Sequence, residues 1–589
     1  MFSNIENVNI LTALLSRHGV RRVVVCPGSR NAPIVHNLNE MEGITCYPVT
    51  DERSAGFIAL GMSLAQQGEY PNPVAICVTS GSALVNLHPA VVEAYYQKAP
   101  LVIISADRPI AWIGQQDGQT FPQAHVFGNM VNYSVNLPEV VAGEKHDEQH
   151  WYCNRLINEA ILHCTLVEKG PVHINIPISE PLYEFTVPEL PKERKIEYIG
   201  PRYLDAHFCK SDLADLMEAK KPMIVAGQMK IESMLSDLKT LDAWAVVLCE
   251  PTALSTTPEV PTDESFSKKS AKTNFDEVLQ LVSDDESYQP DFILYIGGTI
   301  ISKRLKQFLR KCDKAKVWRV SKEGDCIDTF MNLDKVIQAT PASLADTLRS
   351  VSSQYPDEVN DYISRWQRAL CKARRHAKIY EPPYSSMAAV KYFQQYFLSK
   401  SLASLRHSVI CYANSSAIRL GSIYARQYVY CNRGVNGIEG SLSTAAGISL
   451  VLSSQEPFEG EMQHRAFCII GDLSFFYDQN ALWNPNINGS LRILLLNNGG
   501  GAIFGKFKGL QESAARGPLV MAKHHTTAEG ICYQNNIVYR KVSRMENLYS
   551  AIEELCEMES DRPVLLEVLT DIDVDNLALT RYYSSFSLE

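Results

Sequence analysis

Two short runs carry the strongest chemical signal in the sequence: Gly471-Asp472-Leu473-Ser474 and Asn497-Asn498-Gly499-Gly500. Each follows an apolar run, Ala466–Ile470 and Leu491–Leu496, with the character of a buried strand. The carboxyl ends of parallel strands are where open α/β sheets bind ligands. An Asp carboxylate, an Asn amide oxygen and a nearby backbone carbonyl are hard oxygen donors of the kind Mg²⁺ takes. That ion keeps its other positions for water and phosphate oxygens. Gly471 lets a ligand approach the backbone, and Ser474 at a helix start can meet a phosphate. The chemistry implied is a metal with a diphosphate. Two ordinary strand-end turns, where Asp and Asn are common, are the alternative.

A second signal is Thr50-Asp51-Glu52-Arg53, between a strand and a helix rich in small residues. A glutamate there complements the helix dipole. At the end of a buried strand it is also a candidate desolvated carboxyl with a raised pKa, suited to proton exchange. A third signal is a set of basic residues on loops after strands: Arg30, Arg108, Lys303, Arg304, Arg419 and Arg433. Arginine binds carboxylates in a bidentate manner, so several in one cleft select dicarboxylates. Taken singly, each is an ordinary surface ion pair.

Other patterns lead elsewhere. Gly500 to Lys506 nearly spells a P-loop, but Phe507 stands where the Mg²⁺-binding hydroxyl belongs. His524-His525 has no partner at metal spacing and reads as an inert loop pair. Neither Gly-x-Ser-x-Gly nor His-Glu-x-x-His occurs, so hydrolase chemistry has no support.

Positioning these groups requires a large α/β chain. The 589 residues are 46% hydrophobic and 21% charged, which excludes disorder as the main state. A net charge of −10 and the lack of a basic stripe interleaved with aromatics speak against nucleic acid. No apolar run is long enough to cross a bilayer. No targeting segment shows at the start, and 15 scattered cysteines without Cys-x-x-Cys suggest reduced thiols in a cytoplasmic protein. Continuous apolar strands alternate with helices, the pattern of parallel sheets covered on both faces. Strands are expected at Val23–Cys26, Ile44–Val49, Val74–Thr79 and Leu101–Ser105, with one helix over Ala83–Gln97. Further strands are expected at Met223–Ala226, Ala245–Cys249, Phe292–Ile296, Val317–Val320, Val409–Tyr412, Tyr428–Cys431, Ala466–Ile470, Leu491–Leu496 and Val564–Val568. A linker at Pro181–Pro201 and the Glu381-Pro382-Pro383 break divide the chain into three α/β domains in series: 1–185, 200–350 and 385–589.

Together these segments resemble the thiamine-diphosphate-dependent enzymes, and within them the menaquinone-pathway branch that joins 2-oxoglutarate to isochorismate. The resemblance rests on Cys26–Arg30, Thr50–Arg53, Thr79–Ser82, Asn86, Ala106–Pro109, Ser302–Arg304, Asn414-Ser415, Asn432–Gly434, Gly437–Gly447, Gly471–Ser474 and Asn497–Phe504. Gly-Asp-Leu replaces the superfamily's common Gly-Asp-Gly, and no His-His pair follows Arg108, where many 2-oxoacid decarboxylases have one. The resemblance implies three domains, a pyrimidine-binding first, a central second and a diphosphate-binding third. It implies thiamine diphosphate held by Glu52, Ser80, Asn86, Asn414, Ile438, Gly471, Asp472, Leu473, Ser474, Asn498, Ile503 and Phe504. Mg²⁺ or Mn²⁺ would sit on Asp472, Asn498 and Gly500. Glu52 would contact the aminopyrimidine, Ile438 would wedge between the rings, and Gln119 would hydrogen-bond the reacting species. Ser415 and Arg419 would take the 2-oxoglutarate-derived part, with Ser29, Arg30, Arg108, Lys303, Arg304 and Arg433 as candidates for the isochorismate carboxylates. The resemblance further implies a homodimer or homotetramer with active sites at subunit interfaces. A decarboxylase of the same superfamily, or a catalytically silent binding subunit, are the alternatives.

Overall fold

The computed structural model describes all residues except 67–71, 168, 199–213, 231–243, 257–271, 344–356, 458–461, 504–508, 510–511 and 589. Within the described residues the chain forms three parallel sheets. The first comprises β1 (Arg22–Val25), β2 (Thr45–Pro48), β3 (Val74–Val78), β4 (Leu101–Asp107), β5 (Tyr133–Asn136) and β6 (Val172–Pro177), in the order β2-β1-β3-β4-β6-β5. The second comprises β7 (Pro222–Ala226), β8 (Val246–Cys249), β9 (Phe292–Ile296), β10 (Lys316–Ser321) and β11 (Leu333–Gln338), in the order β11-β10-β9-β7-β8. The third comprises β12 (Val409–Tyr412), β13 (Ala466–Gly471), β14 (Leu491–Asn497), β15 (Val538–Val542) and β16 (Val564–Leu569), in the order β12-β13-β14-β16-β15. β4 is buried at all seven positions, as a strand covered on both faces must be.

In the first sheet β1 lies between β2 and β3, so the chain reverses its direction of winding there. Ligands bind at such a switch point, outside the strand carboxyl ends. The first-domain helices are α1 (Glu6–Arg17), α2 (Ala32–Glu40), α3 (Glu52–Leu64), α4 (Ser82–Val85), α5 (His88–Gln97) and α6 (His146–Leu162). Asp51 caps α3 by accepting from the Ser54 N–H at 3.1 Å, and Glu52 fills its first turn. Small residues on α3 let it press against the Ser441–Ser453 helix of the third domain. A Cβ on Gly61 would lie 2.1 Å from the Thr444 carbonyl oxygen, and one on Gly447 2.1 Å from that of Ile58. One apolar cluster therefore runs from Val24 and Ile76 through Phe57 and Ile58 to Ile469 and Leu494.

Several expectations need correction. Tyr428–Cys431 is not a strand; only Tyr430 bridges to Cys411, because the Tyr428 and Val429 N–H groups donate to Ser255 and Pro251 of the second domain. The single helix over Ala83–Gln97 is two helices, with Pro89 in the first turn of the second, where its missing N–H is tolerated. β5, β6, β11 and β15 were not foreseen. The stretch from Pro181 is less free than a linker: Asn154 donates to Glu193 and the Arg194 carbonyl, and Ile196 N–H to Asn158, all on the first domain. No two cysteines among the described residues form a disulfide. Among the described residues no helix is long and apolar enough to cross a membrane.

Candidate active site

The third domain supplies one half of the site. The β13–β14 register pairs Gly471 with Leu496, which sets Asp472 beside the Asn497-Asn498 turn. Asp472 is buried, and its Oδ2 accepts the Gly499 and Gly500 N–H groups at 2.8 Å each. Its Oδ1 accepts the Leu473 N–H at 2.7 Å. Burial raises the Asp472 pKa, against these backbone donors. Gly499 and Gly500 have φ of 80° and 146°, backbone that a side chain would strain.

The two asparagines differ in what remains free. Asn497 Nδ2 donates to Thr526 O at 2.9 Å and Glu567 Oε1 at 2.7 Å, while its Oδ1 accepts from Gly499 N. It is a structural brace. Asn498 Nδ2 donates to Asp575 at 2.7 Å, which leaves the amide oxygen as its remaining donor to a cation. A Cβ added to Gly471 would meet nothing within 4 Å, so the glycine there keeps space clear rather than satisfying packing.

The loop ahead of the Ser441–Ser453 helix completes this half. Ser474 donates its hydroxyl to the Ile438 carbonyl, and Ile438 itself stays 37% exposed. Asn414 donates to Asn432 O at 2.6 Å and Gly437 O at 2.7 Å and accepts from Arg433 at 3.0 Å. Its amide thus acts on the site by holding this loop. Ser415 has φ 70° and Gln119 φ 55°, two non-glycine residues in a costly backbone region of the type that clusters at functional sites. Leu473 and Ile503 are half-buried nearby in the chain; Phe504, and the Gly505–Phe507 part of the P-loop lookalike, lie outside the described residues.

The first domain supplies the other half. Glu52 accepts from Asn86 Nδ2 at 3.1 Å. It is half-buried, less enclosed than expected, because β2 before it is an edge strand with no buried position rather than a buried one. Its neighbours reach the third domain: Arg53 donates to Tyr477 O at 2.8 Å, and Asn480 donates to Asp51 at 2.7 Å. Ser80 is buried at the end of β3, and a Cβ on the adjacent Gly81 would lie 3.1 Å from Gln119. Ser29 is exposed beside the buried Arg30, whose guanidinium donates to Ile178 O at 3.0 Å and Glu180 at 3.2 Å. Arg108 pairs with Asp117 at 2.9 Å.

The remaining basic residues gather elsewhere. Arg304 and Arg419 act on the half-buried Asp276 and oppose the rise that desolvation imposes on its pKa. Arg433 is close enough to depress Arg419 further, after burial itself. Arg304 also stacks over Tyr583, 4.3 Å from the ring centre, while Lys303 is exposed at the start of the same helix. The six basic residues thus form two groups, Arg30 and Arg108 on the first domain and the other four between the second and third.

Two residues went unforeseen. His524, read from the sequence as one of an inert loop pair, sits at the site: its Nε2 is buried, without a hydrogen-bond partner, 3.4 Å from Asp472 Oδ2. The chain brings it there from 52 residues away, so no local motif marks it. Buried Glu93 accepts the Gly434 and Val435 N–H groups at 2.7 and 2.8 Å, tying the first domain to the Arg433 loop.

Comparison with known proteins identifies the family. Residues 6–133 match the family model "thiamine pyrophosphate enzyme, N-terminal TPP binding domain", and residues 194–377 match "middle domain of thiamine pyrophosphate". The chain is 42% identical to the 2-succinyl-5-enolpyruvyl-6-hydroxy-3-cyclohexene-1-carboxylate synthase of Phocaeicola vulgatus, over 99% of both chains. It is 42% identical to that of Bacteroides thetaiotaomicron over 99% of both, and 32% to that of Flavobacterium psychrophilum over 100% of both. The chain belongs to this synthase family of thiamine-diphosphate enzymes.

The residues fit the family's cofactor on structural grounds. The space kept open at Gly471, the unpartnered His524 Nε2 and the oxygen donors Asp472 and Asn498 suit a metal-bound diphosphate. The exposed Ile438 and the Asn86-held Glu52 suit an apolar ring edge and an aminopyrimidine nitrogen.

Proposed function

We propose that this chain removes carbon dioxide from 2-oxoglutarate and adds the remaining succinyl unit, in a 1,4 sense, to isochorismate. The product is 2-succinyl-5-enolpyruvyl-6-hydroxy-3-cyclohexene-1-carboxylate, within menaquinone biosynthesis. The observation that carries this is the placement of Asp472 and the Asn497–Gly500 turn at adjacent strand ends, where Asp472 accepts the Gly499 and Gly500 N–H groups, in a chain whose full-length relatives bear the synthase name.

Asp472 and the Asn498 amide oxygen, with the Gly500 carbonyl, hold Mg²⁺ or Mn²⁺, and Gly471, Leu473 and Ser474 border the diphosphate. Glu52, oriented by Asn86, holds a proton between its carboxylate and the pyrimidine N1′. Ser80 and Asn86 line the same end of the first sheet. Ile438 would press its apolar side chain on the rings, and Ile503 and Phe504 are proposed as further contacts of the cofactor. The chemistry that thiamine diphosphate supplies when bound is an electron sink for the carbanion equivalent left as carbon dioxide departs.

Two substrates with several carboxylates need fixed positive charge, which arginine keeps at any working pH. Arg419 and Ser415 serve the 2-oxoglutarate end. Arg30, Arg108, Lys303, Arg304 and Arg433, with Ser29, serve isochorismate. Gln119 offers a neutral amide to the reacting atoms and so cannot quench a nucleophilic carbon with a proton.

The homodimer, or a dimer of dimers, is part of the same proposal. Ile438, Gln119 and Ser29 stay exposed on the single chain, as expected of half-sites completed by a second subunit. The experiment is to follow isochorismate consumption with 2-oxoglutarate, thiamine diphosphate and Mg²⁺, omitting each in turn. Loss of isochorismate only with all three, strongly slowed by Glu52→Gln, is expected. Carbon dioxide release that ignores isochorismate would make the chain a decarboxylase instead.

A further inference from the structure

Outside the candidate active site, two histidines and a glutamate meet on helices of the first domain. His146 and His150 are four residues apart on α6 and so share one face of it. α1 packs beside α6 and presents Glu6 from its first turn. His146 Nε2 lies 2.9 Å from Glu6 Oε2, and His150 Nδ1 lies 2.7 Å from Glu6 Oε1. One ligand atom from each of the three residues falls within 4.8 Å of the others.

The outer ring nitrogens are also committed. His150 Nε2 is 2.9 Å from Glu193 Oε1, and His146 Nδ1 is 3.0 Å from Asp147 Oδ1. Glu193 is 3% exposed, and its second oxygen accepts from Asn154 Nδ2 at 2.6 Å. Each imidazole therefore faces a carboxylate on both sides, although a neutral ring has only one N–H to give. Two charged imidazolium rings would satisfy this arrangement. So would a single dication held by the inner nitrogens and Glu6, with each neutral ring donating its N–H outward to a carboxylate. The second solution is the arrangement that orients metal-bound histidines, whose far nitrogen is held by a carboxylate.

We propose that Glu6, His146 and His150 bind one Zn²⁺ ion, with Glu193 positioning His150 from behind. Two imidazoles and one carboxylate select a borderline ion such as zinc over Mg²⁺, which prefers oxygen. The histidine side chains are 35% and 30% exposed, so water reaches the fourth position. The ion fastens the first turn of α1 to α6 and, through Glu193, to the segment that leaves the first domain. No step of the carboligation uses it.

The test is zinc titration of the full-length enzyme under excess Mg²⁺ and thiamine diphosphate, which keep the other cation site occupied, with bound zinc counted after equilibrium dialysis. One zinc per chain is expected, and none for His146→Ala/His150→Ala, with turnover retained. Glu193→Gln keeps the stoichiometry but weakens affinity by about 10- to 100-fold, the usual effect of losing such a partner. Equal zinc binding by the double variant, or none by the wild type at micromolar free zinc, overturns the proposal. Should the double variant fail to fold, Co²⁺ added to the wild type decides. Intense visible absorption of a four-coordinate ion supports the site, and the faint spectrum of a six-coordinate ion overturns it.

Discussion

Asp472 and its neighbours show how a residue's role follows from what its other atoms already do. Asn497 and Asn498 are adjacent and chemically identical, yet the Asn497 oxygen already accepts from Gly499 N–H while that of Asn498 has no such bond. Asn498→Ala should abolish Mg²⁺-dependent retention of thiamine diphosphate, read by calorimetric titration, with little change in melting temperature. Asn497→Ala should do the reverse. It leaves buried Glu567 short of a donor and costs about 1–3 kcal/mol of stability. Glu52→Gln should lower kcat by about 10²- to 10⁴-fold, the range of acid–base assistance, while cofactor binding survives. Glu250 makes a pH test. Its carboxylate accepts the Ile301 and Ser302 N–H groups at 2.9 Å each, but Oε2 has no partner, and burial raises its pKa to about 7. The folded chain then keeps a proton that the unfolded chain has released between about pH 4.5 and 7, so this group's contribution to stability falls as pH rises through that window. Glu250→Gln should therefore melt higher than wild type at pH 8 and lose that advantage at pH 5.

Between elements, the decisive contact is α3 against the Ser441–Ser453 helix. One carries Glu52 at its start, the other follows the Ile438 loop, and Gly61 and Gly447 let their backbones touch. Gly61→Ala or Gly447→Ala should force the pair apart at a cost of about 1–3 kcal/mol. Because the displaced elements bear the site, kcat should fall together with the melting temperature. Such pairings are hard to foresee. The small residues on α3 were visible, but their partner lies nearly 400 residues on. Strands with unbroken apolar runs, such as Phe292–Ile296 and Val409–Tyr412, are legible to the residue because burial on both faces demands that composition. β11 (Leu-Asp-Lys-Val-Ile-Gln) was hidden because one exposed face breaks its apolar pattern. Tyr428–Cys431 misled for the opposite cause: an apolar run whose N–H groups answer to another domain.

For the whole molecule, exposed Ile110 and Trp112 lie on the segment that follows β4 and leads from Arg108 to Gln119. Large apolar side chains left bare beside the candidate site are the kind of surface that the proposed second subunit would cover. Sedimentation of the active enzyme should give a multiple of the 65.9 kDa chain. Activity sedimenting as a single chain would refute the shared site. The amino-acid order was enough to place three parallel sheets, the Gly471-Asp472 and Asn497-Asn498 strand ends, and the Glu52 helix start. Those features are written in neighbouring residues, as apolar runs broken by glycine, asparagine and aspartate. Tertiary structure alone decided that Asn498 rather than Asn497 keeps a free oxygen, that His524 reaches Asp472, that the basic residues divide into two groups, and that Glu6 meets two histidines of α6. Each of these depends on hydrogen bonds and packing between residues dozens to hundreds of positions apart, which local composition does not encode.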